Sequence, residues 1–89
     1  MEKIVRMYMG DGCMNCKAML PVFDALAGEY PGVKFEKVNT ANAQSDVETY
    51  GIAGIPTLLF FKGKDVVGKL VGQKPKSLVV KKIAEVFQQ

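Results

Sequence analysis

Two side chains in this 89-residue chain stand out for chemistry, Cys13 and Cys16, and they are its only cysteines. Thiol chemistry runs through the thiolate, and free cysteine titrates near ~8.5, so a reactive cysteine needs surroundings that favour negative charge. Cys13-Met14-Asn15-Cys16 follows an apolar stretch and the loop Gly10-Asp11-Gly12, and it opens a helical pattern. The unpaired N–H groups and dipole of a helix start supply that stabilisation. Cys13, against the loop, is expected to be exposed, ionised below ~8.5 and the attacking thiol. Cys16, one turn in, is expected to be buried and to resolve a mixed disulfide made by the first, since two intervening residues allow a bridge across the first turn. Bridging so short a loop would stabilise the fold little. Histidine is absent, which removes the imidazole base, the Cys–His nucleophile pair and mixed Cys/His zinc sites. A bare CxxC also serves zinc, copper and iron–sulfur sites; zinc or a cluster needs four ligands, which two chains would have to pool. A metal-carrier protein with a CxxC site is thus one alternative to thiol–disulfide exchange.

The remaining composition bounds the class. Hydrophobic residues make up 48% and charged residues 24%, the balance of a folded globule, and 9.7 kDa suffices for one domain over residues 1–89. The apolar run Ile52 to Phe61 is interrupted and well short of the ~20 residues of a membrane helix. Arg6 breaks the apolar core a signal peptide would need, so the cytoplasm is the expected compartment. The net charge of +3 is concentrated in the lysines of residues 62–89, read as a solvated face rather than a nucleic-acid surface, Arg6 being the only arginine.

The elements that must position the cysteines follow from periodicity. Lys3 to Met9 reads as a first strand. Met19, Phe23, Leu26 and Tyr30 share one face of a helix from Cys13, with Pro21 kinking it and Pro31-Gly32 ending it. Val33 to Asn39 is a second strand, followed by a short helix with Ala43, Val47 and Tyr50 on one side, capped by Thr40 or Asn42 and closed by Gly51. Thr57 to Phe61 is a strand buried on both faces, and a hairpin at Lys62-Gly63-Lys64-Asp65 returns it as Val66 to Val71. Pro75 opens a last helix with Leu78, Val79, Ile83, Val86 and Phe87 as its apolar stripe. The order β-α-β-α-β-β-α implies a four-stranded mixed sheet between helices, one three-layer α/β domain. Met7 and Met19 read as core, and Met14 as an adaptable apolar contact beside the exposed thiol. Lys17 is either solvated or an aid to Cys13 ionisation. An X-Pro bond is trans by default, but beside a CxxC and in this element order Ile55–Pro56 is expected to be cis.

With these residues in view, the chain resembles a thioredoxin. Gly12-Cys13-Met14-Asn15-Cys16-Lys17, Pro21, Lys37-Val38-Asn39, the segment Tyr50 to Lys62 around Ile55-Pro56-Thr57, and Val71-Gly72 carry the likeness over essentially the whole chain. The resemblance implies a thioredoxin-like three-layer fold, here without the family's extra N-terminal strand and helix, and a protein disulfide reductase with no bound cofactor or metal. It implies disulfide-containing client proteins bound along Gly12, Met14, Ile55, Pro56 and Gly72, a thioredoxin-reductase-type electron donor, and a monomer. Ile55 would offer its main-chain N–H and C=O to an extended client, with Pro56 as the wall beside Cys13. Met7 stands where the family has a buried aspartate, and Lys37 resembles its buried lysine but, without an acidic mate at Met7, is expected either there or snorkelling to solvent. Glutathione-linked glutaredoxin activity is the nearest rival, but of that family's glutathione-site Gly-Gly only Gly72 is present.

Overall fold

In the computed structural model, which describes residues 1–88, strand β1 (Lys3–Met9) lies between β2 (Lys34–Asn39) and β3 (Thr57–Lys62), and β4 (Asp65–Val71) completes the order β2-β1-β3-β4. β1 and β2 are parallel, as a strand–helix–strand connection requires, while β1–β3 and β3–β4 are antiparallel. Three α-helices complete the described residues: α1 (Met14–Glu29), α2 (Gln44–Tyr50) and α3 (Lys76–Phe87), with a single 3₁₀ turn at Thr40–Asn42 leading into α2.

The alternation of β1 explains the layers. Val5 and Met7 point to one face and pack with Leu58 and Phe60 of β3, Met19, Phe23 and Leu26 of α1, and Val79, Ile83, Val86 and Phe87 of α3. Ile4 and Tyr8 point to the other face, with Leu59, Phe61 and Ile52, under Val47 and Tyr50 of α2. β3 serves both cores at once, so every residue from Thr57 to Phe61 is buried. Two edge-to-face aromatic pairs lock the layers together, Phe23–Phe35 at 5.2 Å and Tyr50–Phe61 at 5.5 Å between centroids. Between Phe60 and Phe61 the β3–β4 register shifts, so that Phe60 faces Gly68 and Phe61 faces Val66, leaving Val67 as an extra residue in the edge strand.

Two expectations are corrected. Leu78 is not in the stripe of α3 but 39% exposed. Val79, Ile83, Val86 and Phe87 already define the face by their i, i+4, i+7 and i+8 spacing, and Leu78 lies one residue, about 100°, off it. The cap after β2 is Asn39, whose Oδ1 accepts the Ala41 N–H at 2.9 Å; α2 itself has Ala43 at its N-cap position and so no side-chain cap. Lys37 takes the second of its two expected courses and is exposed. Its strand partner is Met7, which offers no carboxylate, and its ammonium turns outward to Asp24 of α1 at 2.7 Å. α1 runs on through Pro21, which faces solvent, and α2 closes on Gly51 in the left-handed region.

On the α2 face, Arg6 holds Glu36 at 2.8 Å, reaches the Tyr8 hydroxyl at 3.2 Å and lies 4.7 Å from the Phe61 ring centroid. The Tyr8 O–H donates to Asp46 of α2 at 2.7 Å, pinning the helix to the sheet. Burial is the largest influence on Tyr8 and, with the bond to Asp46, pushes its phenol up to about 12, against the pull of Arg6. The folded value lies above the usual one of 10.0, so this contribution to stability is complete below pH 10 and is lost as pH rises through 12. Tyr8→Phe should lower neutral-pH stability by about 1 kcal/mol through the lost hydrogen bond. Thermal melts should also show the variant losing less stability than the wild type between neutral and strongly alkaline pH; parallel losses would contradict this origin.

Candidate active site

Both loops that matter leave the same end of the central strand pair. Tyr8 pairs with Thr57 in antiparallel register, so the segment after β1, residues 10–13, and the segment before β3, residues 54–56, emerge side by side. Val71 also pairs with Thr57, which brings Gly72 to that end from β4. The sequence places these residues as much as 62 positions apart, from Gly10 to Gly72; the pairing of three strands gathers them.

Close approach fixes the two loops against each other. A Cβ at Gly10 would lie 2.8 Å from Ile55 Cδ1, so the absence of a side chain there lets Ile55 pack onto the segment leading to Cys13. The Asn39 amide donates to the Asp11 carboxylate at 3.1 Å and tethers the same segment to the end of β2. On the other side, the Gly72 N–H donates to the Pro56 carbonyl at 2.7 Å, from a backbone with φ of 91° that favours glycine. The Thr57 hydroxyl donates to the Gly54 carbonyl at 2.5 Å. Ile55–Pro56 is cis, as the sequence suggested.

Cys13 is the N-cap residue of α1, in extended backbone, and its Sγ accepts the Cys16 N–H at 3.1 Å. The two cysteines are joined as a disulfide with their Cα atoms 5.2 Å apart. Their environments differ as the helix position dictates: Cys13 is half-buried, Cys16 only 1% exposed. No acidic residue occupies the first turn of α1, so nothing there opposes negative charge on Cys13. Lys17 is exposed, and Asp11 is held by Asn39.

Of the other expected site residues, Gly12 is exposed, Met14 stands out at 75% exposed, Ile55 is half-buried and Pro56 is buried, while Gly72 lies beside Pro56. Two neighbours were missed. Val71 is 48% exposed and lies against Gly54, where a Cβ would come within 3.4 Å of its Cγ1. Thr40 lies with its Oγ1 3.7 Å from the Cβ position of Gly10. An apolar residue ending a strand reads as core, and Thr40 reads as a cap; only the strand pairing shows otherwise. Apart from the Tyr8 phenol, Thr57 carries the one buried polar side chain among the described residues, so no buried carboxylate accompanies Cys16. Among those residues no three His, Cys, Asp or Glu side chains gather as metal ligands, and no helix is long and apolar enough to cross a membrane.

A half-buried cysteine at a helix start, disulfide-bonded to a buried cysteine one turn on and flanked by a cis-proline loop, defines a dithiol–disulfide centre. Comparison with known proteins agrees. The thioredoxin family model matches residues 2–85. The chain is 36% identical over 78 residues to a thioredoxin of Chlamydia trachomatis serovar D, covering 88% of this chain and 76% of that one. It is 39% identical over 74 residues to thioredoxin 2 of Chlorobaculum tepidum, covering 82% and 68%. The crystal structure of a thioredoxin from Nicotiana alata superposes with a TM-score of 0.88 at 30% identity, covering 96% of this chain and 73% of that one. The chain belongs to the thioredoxin family. It is a thiol–disulfide oxidoreductase, a protein disulfide reductase working through the Cys13/Cys16 couple.

Proposed function

We propose that Cys13 is the attacking thiol and Cys16 the resolving one, acting on disulfide-containing client proteins. The observation that carries this assignment is the contrast between a half-buried Cys13 at the N-cap and a Cys16 that is 1% exposed. The Cys13 thiolate attacks one client sulfur, breaking the client S–S bond and releasing a client thiolate. The Cys16 thiolate then attacks Cys13 Sγ, forming the Cys13–Cys16 disulfide and expelling the second client thiolate. Two electrons pass from protein to client, and two protons from solvent complete the client thiols.

The client is held as an added extended strand along the main chain of Ile55, with Pro56 and Gly72 behind it and Gly12, Met14 and Val71 around it. The bonds from Gly72 to Pro56 and from Thr57 to Gly54 support this by keeping the loop in one shape. No bound cofactor takes part; a thioredoxin-reductase-type protein returns the electrons. Residues 1–89 act as one domain and as a monomer, in the cytoplasm, in keeping with a thiol pair that must be kept reducible.

Following NADPH oxidation during reduction of a protein disulfide tests the donor. A thioredoxin-reductase system should sustain turnover and a glutathione system should not. Turnover with glutathione alone would move the chain to a glutaredoxin-like role.

A further inference from the structure

Asn39 closes β2 in register with Met9, the last residue of β1, and two hydrogen bonds fix its side chain. Its Oδ1 accepts the Ala41 N–H at 2.9 Å, and its Nδ2 donates to Asp11 Oδ1 at 3.1 Å. We propose that Asn39 is a positioning residue of the redox centre, which keeps the Asp11 carboxylate on the β2 side of its loop and so sustains Cys13 as a thiolate. This rests on the reading of Cys13 as the attacking thiol.

Placement makes the carboxylate matter. Asp11 lies two residues before Cys13, so their Cα atoms are at most about 7 Å apart. Gly12 between them takes a φ of 72° and turns the chain. A carboxylate sweeping that space would oppose negative charge on Cys13, against the pull of the helix start. β1 separates β2 from β3, and Ile55–Pro56 leads into β3. The bond to Asn39 therefore draws the carboxylate away from the side on which the cis-proline loop stands. Segments 39–43, 53–56 and 70–73 carry no charged side chain, and Lys17 is exposed one turn along α1. Asp11 is thus the only acidic residue in the segments that meet at Cys13.

Residue type points the same way. As a cap for Ala41, aspartate or serine would serve as well as asparagine. An ionised aspartate has no proton to give Asp11, however, and serine stops one bond short of it. Because Oδ1 is committed to Ala41, the amide N–H₂ is directed at Asp11 and cannot turn away without losing the cap.

The test is run in the Cys16→Ser protein, where thiolate absorbance follows Cys13 alone. Asn39→Ser keeps a cap oxygen and adds no charge, yet the thiolate share at pH 7 should fall by about threefold. In an Asp11→Asn background the same substitution should change nothing, since the residue acts through that carboxylate. Should Asn39→Ser fold poorly, Asn39→Asp serves instead and should also lower the share. Combining it with Asp11→Asn remakes the bond in reverse and should restore the thiolate. A share unmoved by either substitution at position 39 would overturn the proposal, as would an equal fall with and without the Asp11 carboxylate. If the Cys16→Ser protein forms no mixed disulfide with a protein disulfide, the attacking-thiol reading fails and the inference falls with it. That outcome is distinct from a titration indifferent to Asn39.

Discussion

Cys13→Ser should abolish client reduction, whereas Cys16→Ser should keep the first chemical step and stall after it. Serine at position 13 keeps an oxygen able to accept the Cys16 N–H, but an alcohol at neutral pH is no substitute for a thiolate, so turnover should fall by about a thousandfold or more. In Cys16→Ser the nucleophile remains at the N-cap, half-exposed, and still attacks. Nothing then displaces the client from Cys13, and a covalent adduct accumulates. Intact-mass measurement after mixing with a protein disulfide reads this directly, as a gain of one client mass reversed by a reducing agent. The assignment reverses if the Cys13→Ser protein forms the adduct instead, which would require Cys16, only 1% exposed, to reach a client.

Met7→Asp should be the most damaging single change among those that leave the cysteines alone. Met7 has no solvent exposure and packs among Leu58, Phe60, Met19 and Val79. A carboxylate there would lose its hydration with no partner in contact, and the carboxyl would respond by taking up a proton. The folded protein should therefore hold that proton to higher pH than the unfolded chain does. A raised folded value means that the variant is most stable in acid and loses stability as pH rises towards neutrality. At neutral pH we expect a loss of about 3 kcal/mol, or roughly 15 °C in Tm for a chain of this size. Lys37, directly opposite on β2, is the one cation able to soften the loss by turning in from Asp24. Adding Lys37→Met should accordingly deepen it. Melts of Met7→Asp that do not change between pH 4 and pH 8 would show that the site is not dry.

The two cysteines, the succession of elements along the chain and the faces of α1 and β3 were legible because each depends on short-range pattern: a spacing of three, a period near 3.6, an unbroken apolar run. Pro56 was legible only together with those features. What pattern could not show depends on pairing across long separations. Arg6 read as an interruption in an apolar segment; in the fold it sits half-buried on the α2 face, satisfied by Glu36, 30 residues away, and Asp46, 40 residues away. Val71 read as a strand terminus and became an exposed neighbour of the redox site because its partner is Thr57. Thr40 and Asn42 were plausible caps by type, but Asn39 comes first at the end of β2 and takes the role, its two side-chain atoms serving Ala41 and Asp11 at once. Lys37 lies exposed, as the lack of an acidic partner at Met7 had left open, and it pairs with Asp24 instead.

The bond from the Cys16 amide to Cys13 Sγ makes the reacting atom also the atom that caps α1. Whatever changes the charge on that sulfur therefore changes the helix start, and whatever loosens the helix start changes the sulfur. Reduction and unfolding are consequently two legs of one thermodynamic cycle. The free energy by which folding favours the thiolate over the thiol must reappear as a difference in unfolding free energy between those two forms of the reduced protein. Evolution at the first turn of α1 is in this sense doubly constrained, since no substitution there can retune the thiol without also being felt by the stability of the chain.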